Sequence, residues 1–414
     1  MKRALLTAGL VLTFFMSLSL AQATARDTSD LVLGMSAPFR GPSRGLGMEL
    51  YRGSMAYLSK VNDAGGVRGR RVTIKAYDDG YQPDKAVENS IKLMREDQVF
   101  TLFDYVGTPT VTRVLPVLKK FDELGFLLFF PFTGAQPQRE APYDRFSVNL
   151  RASYRQETEG LVDHFLGIGR KRIAVFYQAD AYGRSGWVGV RGALDKYGQK
   201  MVGEATYERG TQFTASLDRQ VAILEAVAPD AIISIGAYEA CAAFIRDARK
   251  AGLNVPIANV SFVGSESLLE LLGQASRADG RDYTENLVNS QVVPSYATVD
   301  MPAIREYREL MAKYDPPAPP GLESPDYIPL EHSFVSLEGF FNAKLIVEVL
   351  TRLGDSPARG QIAAAVATIK DFDLGMGTLL SFSPERNQGS DAIYYTTARA
   401  GQFVPITDWT RWAK

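Results

Sequence analysis

The stretch LVLGMSAPFRGPSRGLGMELYRGSMAYLSKVNDAGGVRGRRVTIKAY, residues 31–77, decides the fold. Its first seven residues are largely apolar and strand-like, residues 47–61 carry apolar side chains at helical spacing, and residues 72–77 alternate as a strand does. A buried strand, an amphipathic helix and a second strand in this order are typical of a βαβ unit in a parallel sheet.

The alternation of strands and helices continues beyond this unit. A helix, a strand, a second helix and an apolar strand are predicted at residues 84–96, 99–105, 112–124 and 126–131. A second array of the same kind begins after about residue 149 and extends to about residue 262. Two successive arrays predict an α/β protein with two doubly wound parallel-sheet domains, instead of one very large sheet.

The last third of the chain has a less regular pattern. A linker-like stretch is predicted at residues 277–295, and a proline-rich loop, which can be neither regular helix nor sheet, at residues 315–329. Three helices and a final set of short strands with turns complete the prediction, at residues 303–314, 334–353, 358–369 and 377–406.

The composition bounds the class of protein. The chain has 414 residues, of which 46% are hydrophobic and 22% are charged, a globular balance sufficient for roughly two to three domains. The formal net charge is −1, so there is no basic surface for nucleic acid or anionic lipid. Cys241 is the single cysteine and His164 and His332 are the two histidines, so we predict no intramolecular disulfide, metal site or cofactor.

The N-terminus has the pattern of a secretory signal. Lys2 and Arg3 precede the uncharged, largely apolar run 4–20, and Ala21 and Ala23 are small residues at the positions that signal peptidase recognises. We predict a signal peptide at residues 1–23. A membrane anchor is the alternative, but the run lies at the lower edge of the length that spans a bilayer.

The loops that follow predicted strands are the expected ligand site. Ligands of open parallel sheets lie beyond the carboxyl ends of the strands, and pockets favour the interface between domains. Several of these loops carry Gly, Ser or Thr before a helix, for example residues 107–110 and 132–136. Because backbone N–H groups and hydroxyls at a helix N-terminus bind carboxylates, a small anionic or zwitterionic ligand is expected.

Short motifs occur at these loops in a specific order. They are SAPFRG at Ser36–Gly41, VNDAGGVRGRR at Val61–Arg71, GTPT at Gly107–Thr110, DAYG at Asp180–Gly183 and FVGSE at Phe262–Glu266. Together they resemble the branched-chain amino-acid (Leu/Ile/Val) binding protein family, the type I periplasmic binding proteins of ABC importers. The likeness spans most of the chain after the signal peptide.

The resemblance implies the type I fold, in which a multi-crossover hinge joins two α/β domains. The first domain would comprise residues 24–149 plus about 290–376. The second would comprise residues 150–289 plus about 377–414.

The same resemblance implies a function without catalysis. The chain would be the periplasmic substrate-binding component of an ABC importer, closing at its hinge on a small organic solute such as an amino acid, an amide, or a short or aromatic carboxylate. It would act as a monomer that docks on ABC permease and ATPase subunits. No cofactor is implied.

Eight positions match the ligand-binding loops of that family. The residues that would receive a ligand carboxylate, or lie beside it, are Thr108, Thr110, Phe132, Thr133 and Gly134. In the second domain, the resemblance implies that Tyr182 covers the ligand, that Tyr238 is a further pocket aromatic and that Glu266 binds an amine.

The sequence also departs from the family pattern. Gly80 and Tyr81 stand where the family has a disulfide cysteine, and Phe132 replaces a small residue beside the carboxylate loop. With Phe39 and Tyr105, Phe132 makes the mouth of the site unusually aromatic. These differences leave open a larger or aromatic acid, an amide or a solute that is not an amino acid.

Several of these residues also have structural interpretations. Thr108 and Thr110 can cap the following helix, and Glu266 can be a first-turn acid favoured by the helix dipole. Arg151 can be a hinge or ion-pair residue, with Tyr154 and Glu157 facing the cleft.

Two rival functions remain at this point. A secreted hydrolase would use Ser43, which lies in the G-x-S-x-G pattern of residues 41–45, but it needs a histidine base that the sequence does not place nearby. Asp78 and Asp79 resemble an acid–base pair, although a strand-end turn explains them better. The second rival is a ligand-sensing module for a signalling receptor, which would use the same cleft.

Overall fold

The computed structural model describes residues 29–414, so the predicted signal peptide at residues 1–23 lies outside the described residues. The first sheet contains five parallel strands in the order β2-β1-β3-β4-β5. These strands are β1 Leu31–Ala37, β2 Val72–Asp78, β3 Thr101–Phe103, β4 Leu128–Phe129 and β5 Ser147–Val148. The helices that connect them are α1 Arg44–Asp63, α2 Pro83–Arg95 and α3 Thr108–Lys120.

The second sheet contains seven strands. Its helices and strands, in chain order, are α4 Tyr154–Gly167, β6 Ile173–Gln178, α5 Ala181–Lys196, β7 Gly203–Tyr207, α6 Asp218–Glu225, β8 Ala231–Ile235, α7 Tyr238–Lys250, β9 Ile257–Asn259, α8 Ser265–Asp279 and β10 Leu287–Gln291. Two later strands, β13 Tyr394–Arg399 and β14 Gln402–Pro405, add an antiparallel edge. The strand order is β14-β13-β10-β9-β8-β6-β7.

Between β10 and β13 the chain returns to the first sheet. This part contains the helices α9 Pro302–Tyr314, α10 Phe334–Arg352 and α11 Ile362–Ala367, and the short antiparallel pair β11 Phe372–Asp373 and β12 Leu379–Leu380. We use "first lobe" for the first sheet with α1–α3 and α9–α11, and "second lobe" for the second sheet with α4–α8. The prediction of two parallel-sheet α/β units is confirmed.

Helices α1 and α10 pack at very short range. A Cβ atom added to Gly53 would lie 1.7 Å from the Ser336 carbonyl oxygen, and one added to Gly339 would lie 2.1 Å from the Leu50 carbonyl oxygen. Only glycine fits at either position, because backbone stands directly opposite. Helix α10 is therefore fixed against α1 while its N-terminal turn reaches toward the second lobe.

The chain passes between the lobes three times, at residues 149–153, 292–301 and 381–393. The first and third of these segments run side by side: the Asn149 N–H donates to the Asn387 carbonyl (2.7 Å), and the Gly389 N–H donates to the Asn149 carbonyl (2.8 Å).

The linker predicted at residues 277–295 is wrong in part, because residues 277–279 and 287–291 are regular structure. Helix α8 extends to Asp279, and β10 lies in the interior of the second sheet between β9 and β13. The polar residues that suggested a linker are buried and hydrogen bonded. The side-chain oxygen of Asn289 accepts the side-chain amide of Asn259 (3.0 Å), and the Ser290 hydroxyl donates to the Glu157 carboxylate (2.6 Å). Pairing of these groups offsets the cost of burying them.

The proline-rich loop is confirmed as irregular. Residues 315–333 contain no helix or strand and lie across α1. The buried Arg52 donates to the carbonyls of Pro316 (2.9 Å) and Leu330 (2.7 Å), and its ion-pair partner Glu49 accepts the Tyr327 hydroxyl (2.9 Å). Within residues 29–414, no helix is long and apolar enough to cross a membrane.

Candidate functional site

The carboxyl ends of the two sheets point at each other. On the first lobe, Tyr81 follows β2, Thr108 begins α3 after β3, and Phe132 follows β4. On the second lobe, Tyr182 lies in the first turn of α5 after β6, and Phe262 follows β9. This is the edge at which ligands bind in open parallel sheets.

Aromatic rings from both lobes meet at this junction. The ring of Phe262 lies 6.0 Å from that of Tyr81, 5.3 Å from that of Phe132 and 4.6 Å from that of Tyr182. The rings of Tyr182 and Tyr154 are 5.2 Å apart. All five side chains are buried, and we call them the aromatic cluster. Each ring pair stabilises the contact between the lobes beyond the burial of its area.

The two hydroxyl-bearing loops of the first lobe are adjacent. The hydroxyls of Thr108 and Thr133 are hydrogen bonded at 2.7 Å, and Thr133 also accepts the Ala135 N–H (3.2 Å). The Gly134 carbonyl accepts the Tyr154 N–H (2.7 Å), and a Cβ atom at Gly134 would lie 2.6 Å from the Tyr154 ring. The structure therefore brings Thr108, Thr133 and Gly134 together beside the aromatic cluster.

The hydroxyl of Thr110 is engaged differently. It donates to the carbonyls of Val106 and Gly107 within the first turn of α3, the latter at 2.8 Å. Such a bond to a preceding carbonyl uses the hydroxyl proton within the helix itself.

A half-buried cation, Arg139, lies next to the Thr133 loop. The Arg139 guanidinium donates to the carbonyls of Thr133 (3.4 Å), Ala135 (2.6 Å) and Arg151 (3.0 Å) and to the Gln388 side chain (2.7 Å). It forms no ion pair with any residue in the range 29–414. Burial, reinforced by the charge of Arg151, lowers the pKa of Arg139 to about 9.

Arg151 links the aromatic cluster to two buried acids. Its side chain is 2% exposed and lies 3.4 Å from a Glu157 oxygen and 3.5 Å from a Glu338 oxygen. The guanidinium stands over the rings of Phe132 (4.8 Å) and Tyr154 (5.7 Å). Glu157 belongs to α4 and Glu338 to α10, so Arg151 bridges the lobes.

Glu157 and Glu338 differ in their hydrogen-bond and ion-pair partners. Glu157 accepts the Ser261 N–H (2.8 Å), the Ser261 hydroxyl (2.9 Å) and the Ser290 hydroxyl (2.6 Å). Glu338 has Arg151 as its ion-pair partner, and burial raises its pKa to about 7 although the charge of Arg151 opposes this shift. Glu338 is therefore the acid of this group that changes charge near neutral pH.

Tyr182 and Tyr238 contact other groups at the junction. The Tyr182 N–H donates to Asp180 (2.9 Å), and the Tyr182 hydroxyl donates to the Gly236 carbonyl (3.4 Å). The Tyr238 hydroxyl accepts the Gly45 N–H at 3.1 Å, which joins α7 of the second lobe to α1 of the first. Burial raises the pKa of both phenols, so both stay protonated at neutral pH.

The structure places Glu266 apart from the aromatic cluster. Its carboxylate lies in the first turn of α8 and accepts the Phe334 N–H at the start of α10 (3.2 Å). Burial raises the pKa of Glu266 to about 7. Its second oxygen, Oε1, is buried and has no hydrogen-bond partner among the described residues. Glu266 thus satisfies the N-terminus of a helix in the other lobe.

The residues that suggested a hydrolase have structural partners. Asp78 accepts the Phe39 N–H (2.8 Å) and the Gly80 N–H (3.1 Å), as a strand-end turn does. His164 stacks on Trp409 at 4.2 Å, and His332 stacks on Tyr296. Neither imidazole is hydrogen bonded to Ser43 within the described range.

Two components of the junction were not identified from the sequence. Arg139 lies in a short helical turn after the Thr133 loop, with no motif around it, and only the folded loop shows what it contacts. Tyr81 was noted only as a departure from the family pattern, yet its ring covers Gly107: a Cβ atom there would lie 2.1 Å from the ring. In residues 29–414 there is no group of three or more His, Cys, Asp or Glu side chains arranged to bind a metal.

A known protein family matches most of the chain. Residues 31–402 match a family described as periplasmic binding protein. An amino acid binding protein of Pseudomonas aeruginosa is 24% identical over 63% of this chain and 66% of its own length. A protein of Brucella suis named Leu/Ile/Val-binding protein homolog 7 is 24% identical over 90% of both chains.

Solved structures extend the comparison. A possible leucine/isoleucine/valine-binding protein from Rhodopirellula baltica has a TM-score of 0.82 and 30% identity, over 95% of this chain and 100% of the other. A branched-chain amino acid ABC transporter protein from Thermus thermophilus, solved with bound valine, has a TM-score of 0.79 over 93% and 97% of the two chains. At 17% identity this second likeness concerns the fold alone. The type I fold implied by the sequence motifs is confirmed.

Proposed function

This chain belongs to the periplasmic binding protein family, and we propose that it is the solute-binding subunit of an ABC importer. The observation that carries the proposal is the meeting of two carboxyl sheet edges through the aromatic cluster, next to paired threonine hydroxyls. We further propose that its solute is a small organic molecule with a carboxylate or amide group. The names of its relatives, which bind amino acids or are called Leu/Ile/Val-binding, support that class.

Thr108, Thr133 and Gly134 are proposed to receive the carboxylate or amide, while Phe132 and Tyr182 cover the solute. The adjacent hydroxyls and the half-buried Arg139 charge support this assignment, because a carboxylate is stabilised by donors that are already positioned.

Lobe closure is proposed as the mechanism. Three chain crossings permit rotation of one lobe against the other, and the contacts between lobes, such as Gly45 with Tyr238, form only when the lobes approach. The solute would favour the approached state because it binds groups of both lobes at once. The domain limits 24–149 plus about 290–376, and 150–289 plus about 377–414, stay a proposal that the two-sheet topology supports.

The proposal also covers secretion, cellular location and partner proteins. We propose that residues 1–23 are removed during secretion, that the remaining chain is a periplasmic monomer, and that the approached lobes dock on ABC permease and ATPase subunits.

Thermal unfolding against a panel of solutes tests the proposal. Residues 24–414 would be unfolded and refolded to remove carried-over ligand, then heated with amino acids, amides, aliphatic carboxylates, aromatic carboxylates and polyols. A true ligand at 100 times its dissociation constant adds about 2.7 kcal/mol to the free energy of unfolding. Small-angle scattering with the same ligand should show a smaller radius of gyration; stabilisation without compaction would refute lobe closure.

A further inference from the structure

The buried junction contains polar atoms that no protein group satisfies. Nε of Arg151 and the hydroxyl of Tyr154 are inaccessible and have no hydrogen-bond partner in the range 29–414, whereas Nη1 of Arg151 faces Glu338 at 3.5 Å. Both unpaired groups can donate a proton, and the Arg151 guanidinium carbon lies 5.7 Å from the Tyr154 ring centre. Because an unsatisfied buried donor costs free energy, such a group of donors indicates an acceptor that the protein does not supply.

The carboxylates joined to the cluster through Arg151 or Tyr182 are engaged. Glu157 accepts three donors from serine residues, and Glu338 is paired with Arg151. Asp180 accepts the Tyr182 N–H and the Gln178 side-chain amide (2.6 Å). Glu266, which the resemblance assigned to a ligand amine, accepts the Phe334 N–H through Oε2, and its Oε1 has no partner among the described residues. The three acids joined to the cluster therefore leave none free for a ligand ammonium group.

The walls of the junction are flat. Phe132 and Tyr81 of the first lobe face Phe262 of the second, so separation of the lobes parts these rings from one another. A flat aromatic ligand between them would replace each lost ring contact with a ring contact of its own. A branched aliphatic chain would restore the apolar contact but not the contacts between tilted aromatic rings.

The charges of the side chains around Arg151 favour an anionic ligand. Arg151 is buried beside Glu157 and Glu338, with the half-buried Arg139 next to it, and burial favours the uncharged form of Glu338. With Glu338 protonated, Arg151 loses the charge of one acidic partner, and a ligand carboxylate replaces that negative charge.

We infer, on the premise of the proposed function, that the solute is an aromatic monocarboxylate without an ammonium group, whose carboxylate is bound by Arg151 and Tyr154 and whose ring lies within the aromatic cluster. Thr108 and Thr133 then flank the bound carboxylate. The aromatic residues by which the sequence departs from the family pattern thereby determine which solute is bound.

Four matched solutes test the inference by calorimetry on refolded, ligand-free protein. They are 3-phenylpropanoate, phenylalanine, 4-methylpentanoate and leucine, which combine an aromatic or a branched side chain with the presence or absence of an amine. We expect 3-phenylpropanoate to bind most tightly, with roughly tenfold weaker binding on adding the amine and again on replacing the ring. Tighter binding of phenylalanine or leucine would overturn the inference and leave the proposed solute-binding function intact.

If none of the four binds, the inference is also overturned. The solute that co-purifies, identified by mass spectrometry, then decides the proposed function separately: a small molecule of another class sustains solute binding, and the absence of any ligand for the folded chain removes it.

Two variants locate the contact. Tyr154→Phe removes one hydroxyl and should weaken 3-phenylpropanoate binding roughly tenfold, while binding of 3-phenylpropan-1-ol, which has no carboxylate, stays the same. Arg151→Lys keeps the charge but loses the planar donors, and should weaken the acid further. Tyr283→Phe and Arg249→Lys change buried residues elsewhere in the second lobe and should leave affinity unchanged. Equal losses for acid and alcohol in Tyr154→Phe would contradict the assignment.

Discussion

Glu338 and Glu266 are both buried at the lobe junction, both touch α10, and burial raises the pKa of each to about 7. Their partners differ. Glu338 faces the buried cation Arg151, whereas Glu266 accepts a backbone N–H and has no cation as a partner in residues 29–414. The first acid therefore belongs to a group of charges that a ligand can alter, and the second fixes the start of a helix. Similar burial and similar pKa do not imply a similar role.

The largest expected effect is on stability, and it comes from removing Arg151, the cation that pairs with Glu338 and not with Glu266. Arg151→Met leaves Glu157 and Glu338 buried without their shared partner, and we expect a loss of about 3 kcal/mol in the free energy of unfolding at pH 8. Urea denaturation measures this loss. Arg151→Met combined with Glu338→Gln should recover part of it, because one uncompensated charge is then absent.

The matched control for this change is Arg249→Met. Arg249 is also buried, but it donates to the carbonyls of Leu253 (2.5 Å) and Glu285 (2.9 Å), far from any acid pair at the junction. It should lose stability without losing affinity for the solute. If Arg151→Met also leaves the affinity for the solute unchanged, Arg151 and Glu338 do not belong to a group of charges that a ligand alters.

The next effect concerns the pH dependence of binding. An anion beside Arg151 favours the protonated form of Glu338, so affinity for a carboxylate should rise as pH falls from 8 to 6, by at most about tenfold per pH unit above the pKa. The charged groups that face Glu338 are Arg151, Arg139 and Glu157. Glu338→Gln should abolish the slope in calorimetric titrations, and a slope of opposite sign would indicate a cationic ligand group.

The smallest effect on affinity is expected at Glu266. Glu266→Gln keeps an oxygen that can accept the Phe334 N–H, so solute affinity should not change. Stability should change with pH: the pKa of Glu266 is about 7 when folded, above its usual 4.5, so the wild type loses roughly 1.4 kcal/mol per unit as pH rises from 4.5 to 7.

Urea denaturation between pH 5 and pH 8 measures the pH effect of Glu266→Gln, which should flatten the curve. Glu270→Gln is the control, because Glu270 is an exposed acid one turn later in the same helix. A large loss of affinity in Glu266→Gln would restore the role of an amine-binding acid that the family resemblance implied.

Much of the fold was predictable because buried parallel strands and amphipathic helices have distinct periodicities. Strand β1 and helix α10 are where the pattern placed them, the latter within a residue at each end. Strand β10 was missed because its sequence, LVNSQ, looks like a linker. A strand whose polar side chains pair inside the protein cannot be recognised by hydrophobicity alone.

The candidate site was likewise only partly predictable from the sequence. The pattern of strands and loops alone predicts which loops meet, because loops that follow parallel strands must lie at one edge of the sheet. It could not determine what each side chain faces there. Thr108 and Thr110 are two residues apart, yet one hydroxyl reaches Thr133 and the other turns back into its helix.

Only the tertiary structure decided the charges of the junction. Arg139, Arg151 and Glu157 lie within residues 139–157, and Glu338 comes from α10. The pKa shifts of Arg139, Arg151 and Glu338 depend on burial that exists only in the folded chain. Local sequence fixes the order of strands and helices, because their periodicity is local. The electrostatics of a site arises from distances between remote residues, and those distances are properties of the folded chain.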